Sequence, residues 1–297
     1  MTPKERLSGT SSDPSSSAVS ETPTLAGFQT EASDLVGRDR EIEILRGAFD
    51  RICGEERRGS GIVMVRGNSG TGKTTLINAL RDHIEQADNG AVFCHGKFDL
   101  MVKNTPYYAL IDAFTEFIEK VLLSPDLKER EARVQEAVGA EGAVLKSFLP
   151  GAVDLLGDSV RSKSLGNTES LNKFRFILRE FIKALCTPSH PVVVFVDDLQ
   201  WSDQQSLDLI HTLLTDSELT NFLFVGCYRD NEVLPHHPLE LAMTAIEAER
   251  ANYDLSETER ILVENLDSSG VNELLSNVLD MEEDVTKPLA DVVHEKT

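Results

Sequence analysis

The sequence is poor in several things that would each point somewhere. Only four of its 297 residues are cysteines (Cys53, Cys94, Cys186, Cys227), and no two stand in Cys-x-x-Cys spacing. That argues against a disulfide scaffold or a zinc knuckle; buried thiols in a reducing, cytoplasmic setting is the reading that fits. No apolar run reaches the roughly 18 residues needed to cross a bilayer. The opening Met-Thr-Pro-Lys-Glu-Arg has no apolar signal core, which argues against secretion. Positive charge is scarce: 29 Lys and Arg stand against 50 Asp and Glu, for a net charge of −21. Nucleic-acid binders gain affinity by neutralising phosphates, so this balance argues against a nucleic-acid partner, and equally against an anionic membrane surface. No internal repeat is visible.

What remains is ordinary globular material, 40% apolar and 27% charged, enough for a core and roughly one to two domains. Residues 1–33 are the exception. Ser, Thr and Pro dominate them, large apolar residues are few, and burial cannot offset their ordering entropy, so a disordered tail is expected. A transit peptide fits less well, because Glu5, Asp13, Glu21 and Glu31 are acidic.

Beyond the tail, hydrophobic periodicity sets out the elements. Ile42, Leu45, Phe49 and Ile52 predict an amphipathic helix from Asp39 to about Glu55. Ile62–Val65 reads as a buried strand, 73–84 as a helix and Ala91–Cys94 as a second strand. Thr105-Pro106 looks like a helix cap followed by proline at the first helical position. Helices are placed loosely over 125–167, and a clear apolar stripe runs from Thr168 to Cys186. Val192–Val196 reads as a strand buried on both faces. Ser202 is the expected cap of the next helix, and Phe222–Val225 is a fourth strand. Short apolar strands alternating with helices imply a parallel sheet covered on both sides. From about Glu240 the pattern turns helical. Residues 246–297 hold 14 acidic and 4 basic residues, about half the net charge.

The strongest local signal is Gly67-Asn68-Ser69-Gly70-Thr71-Gly72-Lys73-Thr74, followed by Thr75. It matches the phosphate loop G-x-x-x-x-G-K-[ST], and it lies where that loop must, between a strand and a helix. The glycines let backbone N–H groups turn inward to phosphate oxygens, and the helix adds its positive end. In that reading Lys73 reaches the β- and γ-phosphates and Thr74 offers its hydroxyl to Mg²⁺. ATP and Mg²⁺ are the cofactors implied.

The strand Val192–Val196 runs into Asp197-Asp198, at the strand edge where parallel sheets bind ligands. With a phosphate loop present, Asp197 is the expected Mg²⁺-shell carboxylate. Asp198 falls where hydrolysing relatives keep a Glu that orients water. Being one methylene shorter, it predicts slow hydrolysis; the competing reading makes it a cap for the helix near Ser202.

Taken together, Leu35-Val36-Gly37-Arg38, the phosphate loop, Asp197-Asp198-Leu199-Gln200-Trp201-Ser202-Asp203 and Cys227-Tyr228-Arg229-Asp230-Asn231-Glu232 resemble the AAA-type, origin-recognition-like ATPase module of STAND signal-transduction ATPases. Gly96-Lys97-Phe98-Asp99 and Pro106-Tyr107-Tyr108-Ala109-Leu110 bring the likeness nearest to modules of serine/threonine-kinase/histidine-kinase hybrids. The resemblance covers about residues 34–297. It implies a P-loop NTPase fold, a three-layer αβα sandwich with a parallel sheet over 34–238, followed by the start of a helical lid over 239–297. It implies a regulatory Mg-ATP switch with slow hydrolysis, acting with other domains or proteins of a signalling assembly and able to oligomerise in the ATP state. A scaffold without significant turnover is the alternative, and a DNA-associated origin-type ATPase a more remote one.

Residue by residue, Val36, Gly37 and Arg38 resemble the segment that lies along adenine, although Arg38 equally suits a surface arginine starting a helix. Arg229 resembles a γ-phosphate sensor, with a salt bridge to Asp230 or Glu232 as the other reading. His237-Pro238-Leu239 resembles the junction to the lid. The adjacent His236 and His237 suggest a metal only weakly. Gly226 and Cys227 stand where many AAA-type proteins carry a polar sensor, and the last residues fall where relatives continue with further helices, so the resemblance implies a truncated lid. Arg250 and Arg260 are weak candidates for an arginine donated to a neighbouring subunit.

Overall fold

The computed structural model describes residues 35–54, 59–87, 89–102, 105–156 and 167–296. The tail expected over 1–33 lies outside the described residues, as do 157–166.

Among the described residues, five parallel strands form one sheet in the order β2-β3-β4-β1-β5. They are β1 (Gly61–Gly67), β2 (Val92–Lys97), β3 (Val192–Asp197), β4 (Phe222–Arg229) and β5 (Glu259–Leu262). Strand side chains alternate between two cores, as a pleated sheet covered on both faces requires. Ile62, Met64, Val192, Val194, Val196, Phe222 and Phe224 enter one core, which α3 (Tyr108–Leu122), α4 (Leu127–Val138), α5 (Ala152–Leu156), α6 (Asn167–Leu185) and α7 (Gln204–Leu214) close. Val63, Val65, Phe93, Val193, Phe195, Leu223 and Val225 enter the other, closed by α1 (Asp39–Cys53) and α2 (Lys73–Gln86). The result is the expected three-layer αβα sandwich.

Strand order matters for the site. β4 lies between β1 and β3, pairing with both, and β2 takes the edge beyond β3. The register sets Gly67 beside Arg229 and Lys97 beside Asp197, so the phosphate loop, the acidic pair, a lysine and an arginine leave the sheet along one edge.

The elements follow the periodicity closely, with four corrections. α3 starts at Tyr108, with Tyr107 at φ +64° just before it, so Thr105-Pro106 precedes the cap instead of forming it. The cap of α7 is Asp203, whose carboxylate accepts from Ser206 N, and Ser202 is bypassed. His237 is not idle: its ring accepts from Leu239 N and caps α8 (Pro238–Asn252). Finally, the stretch read as helical from Glu240 contains β5, which pairs with β1 from Val63↔Glu259 to Arg66↔Leu262. The sheet thus reaches into the segment 239–297. Only α9 (Ser268–Leu279) and α10 (Glu283–Lys296) stand beyond it, packed on each other, with the Thr286 hydroxyl donating to Asn272 Oδ1 at 2.8 Å.

Cys94, Cys186 and Cys227 are buried and Cys53 is partly so. No helix among the described residues is long and apolar enough to cross a membrane.

Candidate functional site

β1 delivers the chain to Gly67 and α2 takes it up at Lys73. The glycines of the turn are there for different reasons. Gly70 and Gly72 adopt φ of +84° and +91°, open to glycine but strained for other residues. Gly67 instead lacks room: a Cβ there would run into the carbonyl oxygen of Val263. Thr71 Oγ1 donates to Asn68 O at 3.0 Å and closes the turn. The Lys73 ammonium lies over the loop, donating to Gly67 O at 2.8 Å and Asn68 O at 2.7 Å. Burial holds Lys73 below the ordinary lysine value, and Arg229 pushes the same way, against the attraction of Asp197.

A cavity of about 320 Å³ opens above this turn. It is lined by Ser69, Gly70, Gly72, Lys73, Thr74, Thr75, Lys97, Asp197, Asp198 and Arg229. Three cations, two carboxylates and a helix N-terminus therefore share one hollow. That composition suits a polyanion together with a metal cation.

The acidic pair is tightly organised. Asp198 turns the chain off β3 in the left-handed region, φ +54°, which aspartate tolerates better than most residues. Its N–H donates to Asp197 Oδ1 at 2.9 Å. Gln200 Nε2 donates to Asp198 Oδ1 at 2.9 Å, and Arg229 Nε stands 3.6 Å from the same oxygen. Lys97 Nζ bridges the two acids, 3.1 Å from Asp197 Oδ2 and 3.0 Å from Asp198 Oδ2. Burial alone would lower the Lys97 pKa, but its hydrogen bonds to Asp198 and Asp197 outweigh burial and raise it. The Asp198 side chain caps no helix N–H, and the helix near Ser202 is capped by Asp203, so the cap reading for Asp198 fails. The oxygens of Asp197 and Asp198 already gather round one cation, Lys97's ammonium, and Thr74 lines the same cavity; these hard-oxygen donors fit Mg²⁺.

Arg229 combines features of both readings made of it. It lines the cavity, and it is also paired, with Nη1 2.8 Å from Glu232 Oε1. Its guanidinium lies over the Trp201 ring at 4.8 Å, while Trp201 Nε1 donates to the other oxygen of Glu232 at 3.1 Å. The second partner offered for it, Asp230, belongs instead to Arg66 at 2.9 Å.

Arg38 does not sit on the surface. It is buried, and its guanidinium donates to Thr71 O at 3.1 Å and Glu264 O at 2.5 Å, tying the phosphate turn to the chain after β5. Val36 is buried beside it, and Gly37 takes φ +66° with Leu266 packed close. Gly226 fits because Leu199 fills the space: a Cβ there would collide with its side chain and press on Met64 Sδ. Cys227 points to the α2 side, where burial pushes its thiol well up.

Arg250 is fully committed elsewhere. It donates to Ser60 O at 2.6 Å, Ser60 Oγ at 3.0 Å, Ser256 O at 2.8 Å and Leu214 O. Arg260 pairs with Glu247 at 2.9 Å. No group of three or more His, Cys, Asp and Glu side chains that could hold a metal by themselves occurs among the described residues.

Sequence reasoning missed Lys97 and Gln200 as members of the site. The signal for Lys97 was weak: the apolar run of the second strand stops at Cys94, and only the strand's continuation through His95 and Gly96 carries Lys97 to the edge where Asp197 ends β3.

The family described as AAA ATPase domain matches residues 34–225. The hybrid signal transduction histidine kinase G of Dictyostelium discoideum is 29% identical over 185 residues, which is 62% of this chain and 5% of that protein. The chain thus spans only a small part of that relative's length. Among solved structures, Cdc6p from Pyrobaculum aerophilum is similar with a TM-score of 0.48 and 12% identity, over 86% of this chain and 54% of that one. A chain of the HORMA:CdnC:Trip13 complex of E. coli MS115-1 is similar with a TM-score of 0.44 and 11% identity, over 87% and 74% respectively.

Proposed function

The chain belongs to the AAA ATPase domain family, and from that premise we propose that it is a regulatory module that binds Mg-ATP and hydrolyses it slowly, as a conformational switch in signalling. The supporting observation is the single cavity that gathers Lys73, Thr74, Asp197, Asp198 and Arg229 over the glycine turn. In this proposal the backbone of Gly67–Thr74 and the start of α2 take the phosphates, and Lys73 adds a point charge. Thr74 and Asp197 hold Mg²⁺, which when bound neutralises phosphate charge. Asp198 orients water, and Arg229 reads the γ-phosphate. Val36, Gly37 and Arg38 line the base side, Arg38 through the backbone it braces.

The proposed division of the chain keeps the P-loop core and lid, with the lid's moving part confined to α9 and α10, because α8 is anchored by Arg250 and β5 belongs to the sheet. A bound nucleotide favouring one arrangement of lid against core would shift that equilibrium by its differential affinity. The hybrid kinase named above makes signalling the reasonable setting, and other domains or proteins the partners.

One observation favours the alternative of a scaffold without significant turnover. The short Asp198 carboxylate is already held by Lys97 and Gln200, and Arg229 stands close to it.

The test is to purify the protein, identify any nucleotide released on denaturation, and follow ATP binding and phosphate release beside Lys73→Ala. Loss of about tenfold or more in ATP affinity is expected from deleting the loop's ammonium. Unaltered affinity in Lys73→Ala would sink the assignment. Binding with negligible phosphate release would select the scaffold.

A further inference from the structure

Lys97 is the last residue of β2 and lies in register with Asp197 on β3. Its ammonium stands 3.1 Å from Asp197 Oδ2 and 3.0 Å from Asp198 Oδ2, between the very carboxylates that suit a divalent ion. Its side chain is 54% exposed, while those of Asp197 and Asp198 are 12% and 10% exposed. The lysine is thus free to swing, whereas the acids stay where they are. Gln200 and the Asp198 N–H fix the carboxylates from the other side, so Lys97 is not needed to orient them.

Two nearly buried carboxylates side by side repel one another unless a cation lies between them. A tethered ammonium answers that need while the ion is elsewhere. It also competes with the ion for the same oxygens.

We propose that Lys97 is a tethered counter-cation of the Asp197–Asp198 pair, which a divalent ion must displace in order to bind. The proposal rests on the reading of this cavity as a Mg-nucleotide site and adds a positioning residue to it. Free divalent ion then binds weakly, because it must first break two charged hydrogen bonds. An ion arriving with nucleotide binds better, because the phosphates supply both further oxygen ligands for the metal and a new partner for the released ammonium. Lys97 thereby makes metal occupancy depend on nucleotide.

The test measures Mn²⁺ binding without nucleotide, by electron paramagnetic resonance, in wild type, Lys97→Met and Lys97→Arg. Removing a unit charge at hydrogen-bond distance from a partly solvated pair should tighten Mn²⁺ binding by about tenfold in Lys97→Met. Lys97→Arg keeps the charge and should stay within about twofold of wild type on the same grounds. Because the acidic surface binds Mn²⁺ weakly at many places, the tightened site must disappear on adding Asp197→Asn. Unchanged or weaker Mn²⁺ binding in Lys97→Met overturns the proposal. Lys97→Gln serves in its place if the methionine variant does not fold, which circular dichroism reports. Metal-free ATP binding, followed in EDTA beside Lys73→Ala, separates the two levels. If ATP binds and the Lys97 variants leave Mn²⁺ unmoved, only this proposal fails; if ATP binding ignores Lys73, the underlying reading fails.

Discussion

Asp198 carries the sharpest chemical question, because its reach is set by one methylene. Its Oδ1 is held by Gln200 at 2.9 Å, a bond that does not depend on Lys97, so in the proposed site the carboxylate has little freedom to travel toward a water. Glutamate at this position would project farther from the same backbone. Asp198→Glu is therefore expected to raise phosphate release several-fold with ATP affinity nearly unchanged, about 1 kcal/mol off the barrier. A single-turnover assay checks this, and an unaltered rate would count against the argument from reach. At this scale the glycine turn after β1 was legible outright, since its conformation depends on glycines a few residues apart. Lys97 was not, since its meeting with Asp197 depends on the register of two strands 100 residues apart in sequence. Arg38 was legible only as a choice of two, and of these the surface position is overturned by its burial and its bonds to Thr71 O and Glu264 O.

The elements themselves were mostly readable. The apolar stripe of α1 places Leu45, Phe49 and Ile52 in the core, as its 3.6-residue spacing requires. The caps slipped by one or two residues because Thr105, Ser202 and Asp203 are all competent by type, and only the path of the backbone selects among them. β5 was missed for a clearer reason. Glu259-Arg260-Ile261-Leu262 is a four-residue edge strand with one buried side chain, amid acidic residues that read as helix. Pairing with β1 makes it a strand; nothing local does. The same tertiary logic singles out Arg250, on α8. It gathers the carbonyls of Leu214, Ser60 and Ser256, joining α7, the approach to β1 and the approach to β5. Burial lowers its pKa to about 10, and it remains charged at neutral pH. Arg250→Met would leave those carbonyls without their donor and should cost about 2–4 kcal/mol in urea unfolding. Arg250→Lys should restore little, because one ammonium lacks the planar fork that reaches several acceptors at once. A loss below about 0.5 kcal/mol in Arg250→Met would show that the cluster does not brace α8.

For the whole molecule, the governing quantity is the net charge of −21, half of it in the last fifty or so residues. Self-repulsion on that scale works against the compact state and is screened by salt. The melting temperature should therefore rise by about 2–4 °C between 20 mM and 300 mM NaCl, measured by differential scanning fluorimetry. A flat or falling profile would mean that the charge is locally compensated by ion pairs such as Arg179–Asp216 and Arg260–Glu247. The amino-acid sequence alone determined what depends on neighbours along the chain: the phosphate loop, the apolar runs that become buried strands, the helical stripes, and the alternation that demands a covered parallel sheet. Tertiary structure alone decided strand order, the fifth strand, the cation between the two aspartates and the arginine that anchors α8. Each of these joins residues far apart in sequence, and only the burial of two apolar sheet faces at once brings such residues to the same edge.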